Sequence, residues 1–188
     1  MSRRPTKGAP VAAPNSLGPT SRPLPDILAP GLRVVFVGIN PSIASGLAGH
    51  HFAGPGNPFW RLLHASGFTP VALEPAEDVR LPELGLGLTN LCSRPTRSAA
   101  ELTRSEYEAG ARELIRKLEA FRPSVVALVG VTLARVLLPE SGETGPGPRL
   151  PSIGEAGVFV LPNPSGRNAA YPSFESKLRW FVRLRESS

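Results

Sequence analysis

The sequence predicts an α/β fold of three layers, αβα, with a central four-stranded, mostly parallel sheet flanked by helices. Three observations predict it. The chain has 188 residues, the size of one domain able to bury a real core, and 41% of them are hydrophobic. Short, continuous apolar runs recur, the pattern of strands buried on both faces. Between them lie segments with apolar residues at helical spacing, so strand and helix alternate along the chain.

Met1 to about Pro25 has a proline every few residues, no aromatics and no apolar periodicity. It cannot bury enough surface to offset its ordering entropy, so residues 1–25 are expected to form a disordered basic tail and residues 26–188 a single domain. The tail has no apolar core, so a secretory signal is not expected there. Leu32 to Gly38 is the first strand. Pro58 to Ser66 follows as a helix, with Phe59, Leu62 and Leu63 on one face and Gly67 as its stop. Leu86 to Leu91 is the second strand. Ser105 to Phe121 is the clearest helix, with Ser105 and Glu108 as a capping box and Tyr107, Ala111, Leu114, Leu118 and Phe121 in one stripe. Val125 to Val129 is the third strand, and a short helix spans Thr132 to Leu138. Glu140 to Pro151 is rich in glycine and proline and reads as a loop. Val158 to Leu161 is the fourth strand. Ser173 to Arg185 is the last helix, with Phe174, Leu178, Phe181 and Val182 on one face. There is no internal repeat.

Composition excludes several classes. No apolar run approaches the ~20 residues of a membrane span. The single cysteine, Cys92, excludes internal disulfides and cysteine-built zinc or iron–sulfur sites, and it fits a reducing compartment. The net charge is +6 and the pI about 10.4. Half of that excess lies in residues 1–31, where Arg3, Arg4, Lys7 and Arg22 face only Asp26. This tolerates a polyanion as partner, and the preference for arginine over lysine suits phosphate contact. A compositional bias towards arginine explains the same numbers. The tail likewise reads either as an aid to DNA affinity or as an inert extension.

Two polar loops follow buried strands: Gly38-Ile39-Asn40-Pro41-Ser42 and Pro162-Asn163-Pro164-Ser165-Gly166-Arg167-Asn168. In a parallel sheet both would lie at the carboxyl edge, where sites form. Each offers an untitratable amide on a stiffened backbone. Asn-Pro-Ser is also common turn chemistry, so the argument rests on there being two copies. Other chemistries drop out. His50, His51 and His64 have no carboxylate or cysteine at ligand spacing, so no metal site is predicted, and solvated loop histidines are expected at 50 and 51. Asp26 and Asp78, the only aspartates, lie outside the strand-end loops, which disfavours a paired-carboxylate mechanism. No nucleophile elbow, P-loop or dinucleotide fingerprint occurs.

The stretch Asp26 to Phe36, then Gly38-Ile39-Asn40-Pro41, resembles the start of bacterial mismatch-specific uracil-DNA glycosylases, members of the uracil-DNA glycosylase superfamily. The resemblance continues through Phe52-Ala53, Asn57, Phe59-Trp60 and Arg94-Pro95-Thr96. It closes with Leu161-Pro162-Asn163-Pro164-Ser165-Gly166 and covers the whole predicted domain. It implies a cofactor-free enzyme that flips uracil, chiefly opposite guanine, out of duplex DNA and hydrolyses its N-glycosidic bond. Asn40 is then the catalytic residue that holds the attacking water. Ile39, Ser42, Ser45, Phe52 and Asn163 line the base pocket, with Phe52 stacking on the base. Ser165, Gly166, Arg167 and Asn168 enter the minor groove, and Arg167 is the wedge. Asn90 and Ser93 mark a secondary pocket. The expected partner is double-stranded DNA carrying uracil or a mismatched pyrimidine, met by a monomer in a bacterial cytoplasm, on the nucleoid. The chain departs from the family in having Ser42 where glycine is usual, and Arg167 where bacterial members often have leucine. A broader uracil or damaged-pyrimidine glycosylase that also accepts single strands remains open, as does a non-catalytic mismatch-binding protein.

Overall fold

The computed structural model describes residues 21–139, 142–166 and 168–188. The elements run β1 (Val34–Gly38), α1 (Ile43–Ala48), α2 (Phe59–Ala65), a 3₁₀ stretch (Pro75–Leu84), β2 (Leu86–Asn90), a 3₁₀ turn (Ala99–Glu101), α3 (Arg104–Phe121), β3 (Val125–Val129), α4 (Val131–Leu137), β4 (Gly147–Ile153), β5 (Ala156–Leu161) and α5 (Phe174–Ser187). The sheet order is β2-β1-β3-β5-β4. The four predicted strands are all present and mutually parallel, with Gly38 opposite Asn90 and Val129 opposite Leu161.

Alternation along the strands builds the three layers. Val34 and Phe36 of β1, Leu88 of β2 and Phe159 of β5 face α2 and α5, meeting Phe59, Leu62, Leu63 and Phe181. Val35 and Val37, with Val126, Leu128, Val158 and Val160, face α3 and α4, meeting Leu114, Leu118 and Leu133. β1 is fully buried. Such strands read as unbroken apolar runs because helices cover both faces.

Three expectations are corrected, and one helix is added. Within the predicted loop over Glu140 to Pro151, Gly147–Ile153 is a fifth strand, antiparallel to β5. Its prolines are tolerated because it is an edge strand, and its ladder breaks between Arg149 and Ile153. α3 starts one cap earlier than read: Thr103 caps it, with Glu106 at the third position, instead of Ser105 with Glu108. Glu106 has a second partner in Arg94, which favours that register. His51 is buried, not solvated. The unpredicted helix α1 forms because Ser42 caps it.

Of the predicted tail, residues 1–20 lie outside the described residues. Residues 21–25 are described and lie along the body: the Arg22 N–H donates to the Gly46 carbonyl, and the Pro25 carbonyl accepts from the His51 ring. Ile27 then pairs with Leu88. No helix among the described residues is long and apolar enough to cross a membrane.

Candidate active site

The chain leaves β1 to build β2 on one side and later returns to build β3 and β5 on the other. The carboxyl ends of all four strands therefore surround one switch point, where α/β sheets bind ligands. A cavity of about 850 Å³ opens there. Its walls come from the first loop, Phe52, Asn90, Val129 and residues 163–166.

Asn40 is held by its nitrogen. Nδ2 donates to the Arg94 carbonyl (2.9 Å), to Thr96 Oγ1 (2.7 Å) and to the Pro41 carbonyl (3.2 Å). Carbonyl oxygens only accept, so the amide orientation is fixed by chemistry. Thr96 is buried, and its hydroxyl donates a hydrogen bond to the Ser98 carbonyl. Oδ1 is left as an acceptor on the cavity wall. The loop is laced to the exit of β2, where Leu91 N–H bonds the Gly38 carbonyl, Cys92 N–H bonds Ile39 and Thr96 N–H bonds Pro41. Arg94 is clamped in turn by Glu106, through Nε–Oε1 at 2.6 Å and a second nitrogen at 3.0 Å. That pairing and the cap hold the Glu106 carboxyl down at about 2.

Phe52 has a left-handed backbone, φ 52°, an uncommon conformation for a bulky residue. It stacks on buried Phe59 with centroids 3.9 Å apart and planes 18° apart. One ring face thus belongs to the core, and the residue also lines the cavity. Gly38 makes this convergence possible. A Cβ there would lie 2.5 Å from Asn90 Oδ1 and 3.6 Å from the Phe52 ring tip.

Ser42 is exposed at the rim, and its hydroxyl accepts from Ser45 N–H (3.1 Å) and donates to Ser45 Oγ (3.0 Å). Buried Ser45 also accepts from Ala53 N–H, which ties α1 to the Phe52 loop. Ile39 lines the cavity and packs its side chain towards α3 and α4. Asn163 is exposed, with Oδ1 accepting from Ser165 N–H at 2.9 Å. Asn168 braces this loop, Nδ2 donating to the Asn163 carbonyl. Ser165 and Gly166 line the cavity mouth. Arg167 lies outside the described residues.

Asn90 and Ser93 line a second, adjoining cavity of about 330 Å³. Asn90 lines both cavities, and the second also holds the Lys117–Asp26 ion pair at 2.7 Å. Sequence reasoning passed over two residues here. Thr96 was visible within the Arg94-Pro95-Thr96 motif but had no assigned task. His51 gave no local signal, because its partners Pro25, Asp78 and Asn90 are 26, 27 and 39 residues away. No cluster of three His, Cys, Asp or Glu that could hold a metal occurs among the described residues.

The sequence profile of the Uracil DNA glycosylase superfamily matches residues 25–185. A solved structure shares the fold: the solution NMR structure of a candidate uracil DNA glycosylase from Methanosarcina acetivorans. It is 21% identical, with a TM-score of 0.53, over 88% of this chain and 98% of that one.

Proposed function

The chain belongs to the uracil DNA glycosylase superfamily, and from that premise we propose that it is a monofunctional glycosylase that removes uracil, chiefly opposite guanine, and leaves an abasic site. The observation that carries this reading is the Asn40 amide, tied by Nδ2 to three acceptors so that Oδ1 faces the cavity as an acceptor.

In the proposed reaction the base leaves the stack and enters the cavity beside Phe52, whose outer face stacks on it. Asn40 Oδ1 accepts a hydrogen bond from a water and aims its oxygen at the deoxyribose C1′. The amide stays neutral beside developing positive charge on the sugar. Positioning the nucleophile in this way supplies the main catalytic contribution from a side chain. As the glycosidic bond breaks, its electron pair goes to the base. The water oxygen bonds C1′, and the proton it sheds passes through solvent to the departing base anion, which leaves as neutral uracil. Asn163, with Oδ1 spent on Ser165, offers Nδ2 to an oxygen of the base or its phosphate. A neutral donor stabilises the departing anion less than a charge-assisted one, so rate leans on the weakness of the substrate's own pairing. That favours G·U over A·U. Arg167, next to Gly166 in sequence, takes the vacated space and contacts the orphan guanine with its guanidinium.

Single-turnover cleavage of oligonucleotides carrying G·U, A·U or single-stranded uracil tests the reading. The expected order is G·U first, then A·U. Equal rates on all three would favour the broader glycosylase, and tight binding to G·U without cleavage would favour a mismatch-binding protein.

A further inference from the structure

The cavity lining carries one permanent charge that the reaction just described does not use. Arg97 directly follows Thr96, is exposed and lines the cavity. Among the described residues no carboxylate, lysine or second arginine lines it. His51 does, but burial lowers its pKa from 6.5, so its ring is neutral at pH 7.

The backbone on both sides of Arg97 is fixed, and the nearby acids are already engaged. Thr96 N–H donates to the Pro41 carbonyl, and its hydroxyl links Asn40 to the Ser98 carbonyl. Ser98 N–H donates to Glu101 Oε1 at 3.1 Å, within a capping box. Glu106 is held by Arg94 and by the Thr103 cap. Arg94 and Arg97 therefore differ sharply at three residues' distance. Arg94 is paired, whereas Arg97 has no hydrogen-bond or ion-pair partner among the described residues. A planar fork of five donors beside a cavity without acids suits a phosphate.

The position of Arg97 selects the phosphate. Arg97 lies beyond the carboxyl ends of β1 and β2, because Ser42 and Thr96 form a parallel bridge there. Residues 163–166 lie beyond the end of β5. In the order β2-β1-β3-β5 these two walls are two to three strands apart, roughly 10–14 Å at ordinary strand spacing. A nucleotide that leaves the stack enters between them, so the phosphates on its two sides meet different walls. The second loop offers neutral donors, and the first-loop side offers a charge.

We propose that Arg97 clamps the backbone phosphate on the first-loop side of an extruded nucleotide, and that it does so only once that nucleotide has entered the cavity. The proposal rests on the glycosylase reading and adds how the flipped strand is held. The guanidinium takes two oxygens of one phosphate. Its side chain belongs to the cavity lining, so it meets the phosphate that extrusion draws into the mouth. The contact then favours the extruded state over the stacked one, since only a differential interaction shifts such an equilibrium.

The test is equilibrium binding of the full-length protein to duplexes with an uncleavable abasic analogue opposite guanine. Arg97→Gln removes the charge from an exposed side chain and should leave the thermal melt unchanged. It should weaken binding to the abasic duplex about tenfold, with a salt slope lower by about one, and binding to undamaged duplex by less than about twofold. Arg97→Lys keeps the charge, loses the fork and should recover part of the loss. A neutral methylphosphonate, placed in turn at each phosphate beside the analogue, locates the contact. At one of them it should cost wild type about tenfold and Arg97→Gln less than about twofold, because both changes remove the same interaction. Losses that add at every phosphate overturn the proposal. So does an Arg97→Gln loss of equal size on undamaged duplex, or a wild type that binds the abasic duplex no more tightly than undamaged duplex. The binding cycle needs no cleavage. A wild type that excises no uracil would therefore sink the glycosylase reading, while the cycle still decides the clamp.

Discussion

Asn-Pro-Ser occurs twice at the carboxyl edge of the sheet, and the two copies offer opposite ends of the same amide. Asn40 is gripped by Nδ2, through acceptors 54 and 56 residues away, and presents oxygen. Asn163 is gripped by Oδ1, through the N–H two residues on, and presents nitrogen. The first loop is laced to the exit of β2, whereas the second is braced within itself by Asn168. A tripeptide therefore does not define a role. An acceptor suits a water and a donor suits an anionic oxygen, and the surroundings decide which is available.

The largest effect should come from breaking the first loop. Asn40→Ala should cut single-turnover cleavage of G·U by roughly 10²-fold or more while leaving DNA affinity near wild type. Asn163→Ala should cost about tenfold, in keeping with a single neutral donor. Equal losses would erase the contrast between the loops. Next, Arg167→Ala should bring the G·U and A·U rates together with little change in non-specific affinity. A uniform loss of affinity on all duplexes, with a salt slope lower by about one, would instead mark a phosphate contact. Thr96→Val keeps the shape but removes an acceptor from Nδ2, so cleavage should fall several-fold through loss of orientation, with roughly 1 kcal/mol lost from stability in denaturant.

Smaller effects sharpen the comparison. Ser42→Gly removes a side chain from the rim and should raise weak G·T activity, while losing the α1 cap at about a few tenths of a kcal/mol. An unchanged uracil-to-thymine ratio would remove Ser42 from contact with C5 of the base. Last, the Glu106 clamp on Arg94 should be visible in pH. Its folded pKa, about 2, lies below the ordinary 4.5. Its contribution to stability is therefore complete above 4.5 and lost as pH falls from there through about 2. In Glu106→Gln the acid loss of stability over that window should shrink, as thermal melts at several pH values would show. The first loop should feel this variant, through the Arg94 carbonyl, and the second should not.

How far the sequence reached depended on the range of the interactions. β1, β3, α3 and α5 were legible because burial on both faces and helical stripes are written within each segment. β4 was not, because Gly147, Pro148 and Pro151 argue against a strand and only an edge position tolerates them. The α3 cap was misread by two residues because two overlapping boxes were available, and only Arg94 distinguishes them.

The sequence by itself determined the layered α/β fold, the two amide loops at one edge of the sheet and the absence of cysteine-built chemistry, since these depend on composition and on neighbours within a turn or a strand. Only the tertiary structure decided which atom each asparagine presents, that Phe52 shares its ring between core and cavity, and that His51 is buried between Pro25 and Asn90. The reason is physical. An amide has two chemically opposite ends at nearly equal volume, and a histidine has two tautomers. Neither choice costs anything until partners dozens of residues away satisfy one end and leave the other to the site.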